Sequence, residues 1–97
     1  MLAQFFLAAG AIAADQPGPP DRGFVPDAAT AIKIAIAVWE PIYGAKNIAA
    51  QKPYRARLEG DRWIVEGSAG STGEVGGTAI AEIARADGRV LRVSHGR

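Results

Sequence analysis

The stretch KPYRARLEGDRWIVEGS, residues 52–68, constrains the fold of this chain more than any other segment. Its apolar and polar residues alternate with a period of two, the repeat of a strand that buries one face. Gly60-Asp61 supplies a two-residue hairpin loop. That loop sets Leu58 opposite Trp63, Ala56 opposite Val65 and Tyr54 opposite Gly67 on one face. On the other face Arg55 meets Glu66 and Glu59 meets Arg62, and opposite charges directly across strands are favourable. A slip of one residue would exchange the two faces. The hairpin therefore predicts an antiparallel sheet with an apolar side that something must cover.

A cover is available upstream, in VPDAATAIKIAIAVWEPIYG, residues 25–44. Asp27, just after Pro26, is suited to accept hydrogen bonds from the open N–H groups of a first helical turn. The helix is expected to run to about Glu40, because Pro41 disfavours the helical turn before it. Gly44 ends the short continuation that includes Tyr43. Lys33 is the sole charge between Ala28 and Trp39. A helix this apolar needs cover on more than one side: it is either a central core helix or one that a second copy covers in a homodimer.

The closing segment RADGRVLRVSHGR, residues 85–97, reads as the end of a second hairpin. A three-residue Ala86-Asp87-Gly88 loop, with Gly88 left-handed as a bulge, places Ile83 opposite Leu91 and Ala81 opposite Val93. Glu82 then meets Arg92 on the outer side, and His95 sits at a strand end beside Ala79. Between the hairpins, GSAGSTGEVGG (residues 67–77) lacks the Gly-Lys-Ser/Thr of a phosphate loop and no helix follows it. It reads as a flexible connection. The fold class is α+β: one long N-terminal helix packed on a four-stranded antiparallel meander sheet.

MLAQFFLAAGAIAA, residues 1–14, carries no charge. It is shorter than the roughly 20 helical residues that span a bilayer. Its apolar run closing on Ala11-Ile12-Ala13 matches a signal peptide, although no Lys or Arg precedes that run. The alternative is a buried N-terminal helix, but the next stretch, DQPGPPDRG at residues 15–23, cannot continue one. The expected organisation is a signal peptide over residues 1–14, a Pro/Gly-rich linker over 15–23 and one α+β domain over 24–97. The corresponding location is the periplasm or outside the cell, with no stable membrane anchor after signal cleavage.

Composition removes several function classes. Eleven Lys and Arg against ten Asp and Glu leave a formal charge of +1, so no global field draws the chain to nucleic acid. The absence of cysteine excludes disulfides, thiolate catalysis and Cys-based zinc sites. Ser94 and the single histidine, His95, are chain neighbours whose side chains leave a strand on opposite faces, so they form no dyad. No His/Asp/Glu cluster has ligand spacing. The expectation is a non-enzymatic protein without catalytic, metal or cofactor residues.

The blocks Ala31-Ile32-x-Ile34-Ala35, Tyr43-Gly44, Lys52-Pro53-Tyr54, Trp63-Ile64-Val65-x-Gly67, Gly76-Gly77 and Asp87-Gly88-x-Val90 recur here in a particular order and spacing. In that order they resemble a family of bacterial immunity proteins with a nuclear-transport-factor-2-like (cystatin-like) fold, over about Phe24 to Arg97. The resemblance implies a short form of that fold. It implies a binding protein that neutralises a cognate toxin by direct contact. With it, Asp27, Tyr43, Gly44, Pro53, Tyr54, Trp63, Gly67, Gly76, Gly77, Asp87 and Gly88 become the family-motif or structural positions. The same superfold also hosts small-ligand-binding and catalytic proteins with a pocket between helix and sheet, which is the alternative reading.

The core consumes the helix-facing side of the sheet, so a partner must meet another surface. The opposite face gathers Arg55, Arg57, Arg62 and Arg92 around Ile64, Ile80 and Val90. Apolar residues set among arginines have the composition of an interface. The plain reading is that isolated exposed apolar residues are common on any surface. The glycine loop from Gly67 to Gly77 is the second candidate surface.

Overall fold

The computed structural model describes residues 21–69 and 77–96. The leader, its Ala11-Ile12-Ala13 site, most of the Pro/Gly-rich linker, and Gly76 with the centre of the glycine loop lie outside the described residues. In chain order the elements are helix α1 (Ala28–Tyr43), a short helix α2 (Ala45–Ala49) and strands β1 (Arg55–Glu59), β2 (Arg62–Glu66), β3 (Ala79–Ala84) and β4 (Val90–His95). The strands form one antiparallel sheet in the order β1-β2-β3-β4. The expected four-stranded meander under one long helix is what forms.

Asp27 caps α1 from an extended backbone, its carboxylate accepting from the Thr30 backbone N–H at 2.9 Å and the Thr30 hydroxyl at 2.7 Å. Those two bonds favour the ionised form and hold the Asp27 pKa below its ordinary value. The helix does not stop at Glu40. It runs through Pro41 to Tyr43, and Gly44, at φ 93°, closes it by donating to the Glu40 carbonyl at 2.8 Å. Pro41 forfeits one bond, to the carbonyl of Ala37, but Ala37 lies on the exposed side of the helix where solvent satisfies that carbonyl.

Ala31, Ala35 and Trp39, four residues apart, form the fully buried line of α1. The two alanines let the helix lie close to the sheet, and Trp39 fills the wider end against Tyr54, with ring centroids 5.9 Å apart. Val25, Ile48, Trp63, Val65, Ala79, Ala81 and Ile83 complete the core. The opposite line, Ala29, Lys33, Ala37 and Glu40, is exposed. Cover on more than one side therefore stops at the flanks, where Ile32, Ile34, Ile36 and Val38 are half-buried.

The first hairpin has the expected register: Arg55 pairs with Glu66, Ala56 with Val65, Leu58 with Trp63 and Glu59 with Arg62. Gly60 alone takes a positive φ in the loop, 62°, which excludes a type I′ turn. Leu58 shares its row with buried Trp63 yet is exposed, because it lies on an edge strand at the end next to the hairpin turn.

The second hairpin follows expectation only in part. Ala79 pairs with His95, Ala81 with Val93 and Glu82 with Arg92. Nearer the turn, Ile83 pairs with Val90 rather than Leu91, and Leu91 becomes the extra residue of a bulge, exposed to solvent. The loop is one residue longer than expected, Arg85 to Gly88, with Ala84 N–H bonded to the Arg89 carbonyl and Gly88 at φ 78°. The cause lies elsewhere in the chain. The Arg85 and Ala86 carbonyls accept from the N–H groups of Val25 and Phe24, and the Arg85 N–H donates to Asp61. Reasoning within one hairpin cannot see those partners.

Candidate interaction face

Register places the outer-face side chains in rows across all four strands. One row is Arg57, Ile64, Glu82 and Arg92, the next is Arg55, Glu66, Ile80 and Ser94, and Glu59 with Arg62 begins a third. All six residues expected to meet a partner, Arg55, Arg57, Arg62, Ile64, Ile80 and Arg92, thus come together on one face. Their apolar part differs from expectation. Ile64 is buried, only 7% exposed, and Ile80 is half-buried. Val90, expected on this face, pairs with Ile83 of the core row instead. The buried Ile64 and half-buried Ile80 share their rows with the longer arginines and glutamates, and so form the low apolar part of this face.

The ion pairs run along diagonals and within strands as well as straight across. Arg57 Nε donates to Glu59 Oε2 at 2.7 Å and reaches Glu66 at 4.0 Å. The expected Glu59–Arg62 and Arg55–Glu66 contacts share a register position without forming ion pairs among the described residues. The bond to Arg57 and its charge hold the Glu59 carboxyl below its ordinary pKa, and the same bond with the Glu59 charge pushes the Arg57 guanidinium up. Glu82 takes Arg62 on one carboxylate oxygen at 3.4 Å and Arg92 on the other at 3.6 Å, as expected for Arg92. A groove of about 320 Å³ runs along the β1 side, lined by Arg55, Ala56, Arg57, Ile64 and Glu66.

A second feature lies at the far end of the sheet, and sequence reasoning missed its centre. Gln51, 6% exposed, accepts from the buried Ala79 N–H at 2.8 Å through Oε1. Its own backbone carbonyl accepts from the Ser68 N–H at 2.7 Å. Oε1 being committed, its amide nitrogen faces His95 Nε2 at 3.5 Å. That contact is long, and it fits a ring whose Nδ1 donates to the Gly96 carbonyl at 3.1 Å. Tyr43 lies against the same imidazole, with ring centroids 4.9 Å apart. A cleft of about 210 Å³ opens here, lined chiefly by Asn47, Gln51, Ser68, Gly77 and His95.

The motif residues have structural partners at both ends of the sheet. The Tyr54 hydroxyl donates to the Ile48 carbonyl at 2.7 Å, and burial, with Glu40 nearby, raises its pKa. Pro53 follows a cis peptide bond, and its carbonyl accepts from the Ser68 hydroxyl. Gly67 abuts Gln51, Gly77 has a φ of 75°, and Asp87 accepts from the Arg89 N–H at 3.0 Å in the last turn. Trp63 Nε1 donates to the Val25 carbonyl at 2.8 Å, tying the segment before α1 to β2. A glutamine between Ala50 and Lys52 carries no pattern that marks it as a junction, since it sits outside both periodic elements.

Among the described residues no group of three or more His, Asp or Glu is placed to hold a metal, and no helix is long and apolar enough to cross a membrane. A capped helix over a four-stranded antiparallel meander is an α+β arrangement consistent with the nuclear-transport-factor-2-like (NTF2) fold. The model of the family described as "NTF2 fold immunity protein" matches residues 30–97, and the chain belongs to that family. The uncharacterized protein YhhH of Escherichia coli (strain K12) is 34% identical over 76 residues, which cover 78% of this chain and 60% of YhhH. The chain therefore spans about three fifths of that relative's length. No solved structure gives a significant match. Membership in this family points to a non-catalytic role.

Proposed function

We propose that this protein neutralises a cognate bacterial toxin by stoichiometric protein–protein contact, without chemistry of its own. The family match over residues 30–97 carries the reading. What supports a surface for it is one sheet face, opposite the face that packs on α1, that carries four guanidiniums and three carboxylates together with Ile64 and Ile80. The layer between helix and sheet is filled by Trp39, Trp63, Val65 and Ile83, which favours surface contact over a deep ligand pocket. Export to the periplasm belongs to the same proposal and rests on the apolar leader.

The test is co-expression with toxin genes encoded beside this one in its native genome. Rescue of growth, with a one-to-one complex on size-exclusion chromatography, is the expected result. Absence of both for every neighbouring toxin would overturn the reading. Mass spectrometry of the protein from its host should find a mature start near Ala14 or Asp15, whereas an intact Met1 on cytoplasmic protein would sink export.

A further inference from the structure

The ion pairs of the outer face do not balance evenly. Arg57 stands between two carboxylates, Glu59 and Glu66. Arg62 and Arg92 share the single carboxylate of Glu82, each holding one of its oxygens. Glu82 sits low, its side chain 18% exposed, while those of Arg62 and Arg92 are 46% and 66% exposed. A guanidinium has five N–H donors in a planar fork. Neither of these two makes a short hydrogen bond among the described residues, and their contacts to Glu82 stay at 3.4 and 3.6 Å. The acid is therefore the base of the group, and what it presents outward is two cations on strands β2 and β4 with donors to spare.

Resting on the toxin-binding reading, we infer that Arg62 and Arg92, which flank Glu82, receive a carboxylate from an acidic segment of the toxin. Ile64 and Ile80 form the apolar floor beside that contact. Hydrogen bonds from a guanidinium to an incoming carboxylate are charge-assisted, and so stronger and more directional than neutral ones. Nucleic acid is the poorer fit. A phosphate backbone would lie along the face and meet Glu59 and Glu66 on the β1 side, and the whole chain carries a formal charge of only +1.

The probe is a short capped peptide alternating glutamate with leucine, compared with its lysine counterpart and with single-stranded oligothymidylate. Binding to the full chain is followed by methyl and arginine Nε–H NMR shifts. The acidic peptide should bind, shift Ile64, Ile80, Arg62 and Arg92, and weaken as salt rises. Arg62→Gln with Arg92→Gln should lower its affinity on the order of tenfold, with the melting curve retained as the folding control. Glu82→Gln separates this role from a structural one. Removing the internal competitor should leave binding unchanged or tighter, and a loss matching that of the arginine variants would overturn the inference. Shifts confined to other surfaces, or preference for the lysine peptide or the oligonucleotide, would overturn it as well. Growth rescue by the neighbouring toxin's partner assay stands or falls separately, so failure of this patch and failure of the toxin reading are distinguishable.

Discussion

Gly67 and Gln51 should behave as one unit, although sixteen positions separate them in the chain. A Cβ placed on Gly67 meets Gln51 Oε1 in a clash, lies 2.9 Å from Gln51 Cβ and 3.3 Å from Cδ. Gln51 cannot yield without releasing the buried Ala79 N–H that Oε1 holds at 2.8 Å. An unsatisfied buried donor costs about 1–3 kcal/mol, and losing a buried methylene adds about 0.8 kcal/mol. Gln51→Ala should therefore cost roughly 2–4 kcal/mol, a large share of what a domain this size has. The corresponding fall in melting temperature is roughly 10–30 °C. Gly67→Ala should cost a similar amount, since it expels the same side chain from the same bond. The double substitution counts the orphaned N–H once, so its cost should fall short of the sum by about 1–3 kcal/mol. Urea denaturation of the four proteins measures the cycle, and amide exchange at Ala79 should accelerate in both single variants. Additivity within about 0.5 kcal/mol, or a protected Ala79 amide in Gly67→Ala, would refute the reasoning.

Trp63→Ala should cost roughly 3–5 kcal/mol, as for a large core aromatic, and Trp63→Phe less, by the bond to Val25; a melting curve unchanged by Trp63→Ala would remove that residue from the core. Asp27→Ala should destabilise the fold at neutral pH by uncapping α1. Because the folded-state pKa of Asp27 is lowered, its stabilising contribution is present above the unfolded carboxylate pKa and fades as pH falls through the folded one. The gap between wild type and variant should accordingly close in acid, and a gap independent of pH would show that the carboxylate is not the cap.

The first hairpin was legible because its information is local: two alternating strands and a tight loop allow one register in which both faces are satisfied. The capped helix start, the meander order and the position of His95 were legible for the same reason, each resting on residues near in the chain or on strict periodicity. The candidate arginine face followed from that register as well. What the register could not supply was depth: Ile64 is buried and Leu58 exposed, because burial depends on how far the helix and neighbouring side chains reach, not on alternation. The turn after β3 and the bulge at Leu91 were likewise out of reach, since backbone groups of Phe24, Val25 and Asp61, far away in sequence, occupy the turn's hydrogen bonds. Gln51 is the clearest case. As a sequence letter it is an ordinary polar residue, and only the folded chain brings Gly67, Ser68, Ala79 and His95 around it. The sequence alone determined periodicity, and with it the elements and their pairing. Tertiary packing decided which polar groups are buried and what meets them, since a buried donor depends on whatever the fold brings near: the Ala79 N–H finds Gln51, whereas the Trp39 indole N–H finds no partner among the described residues.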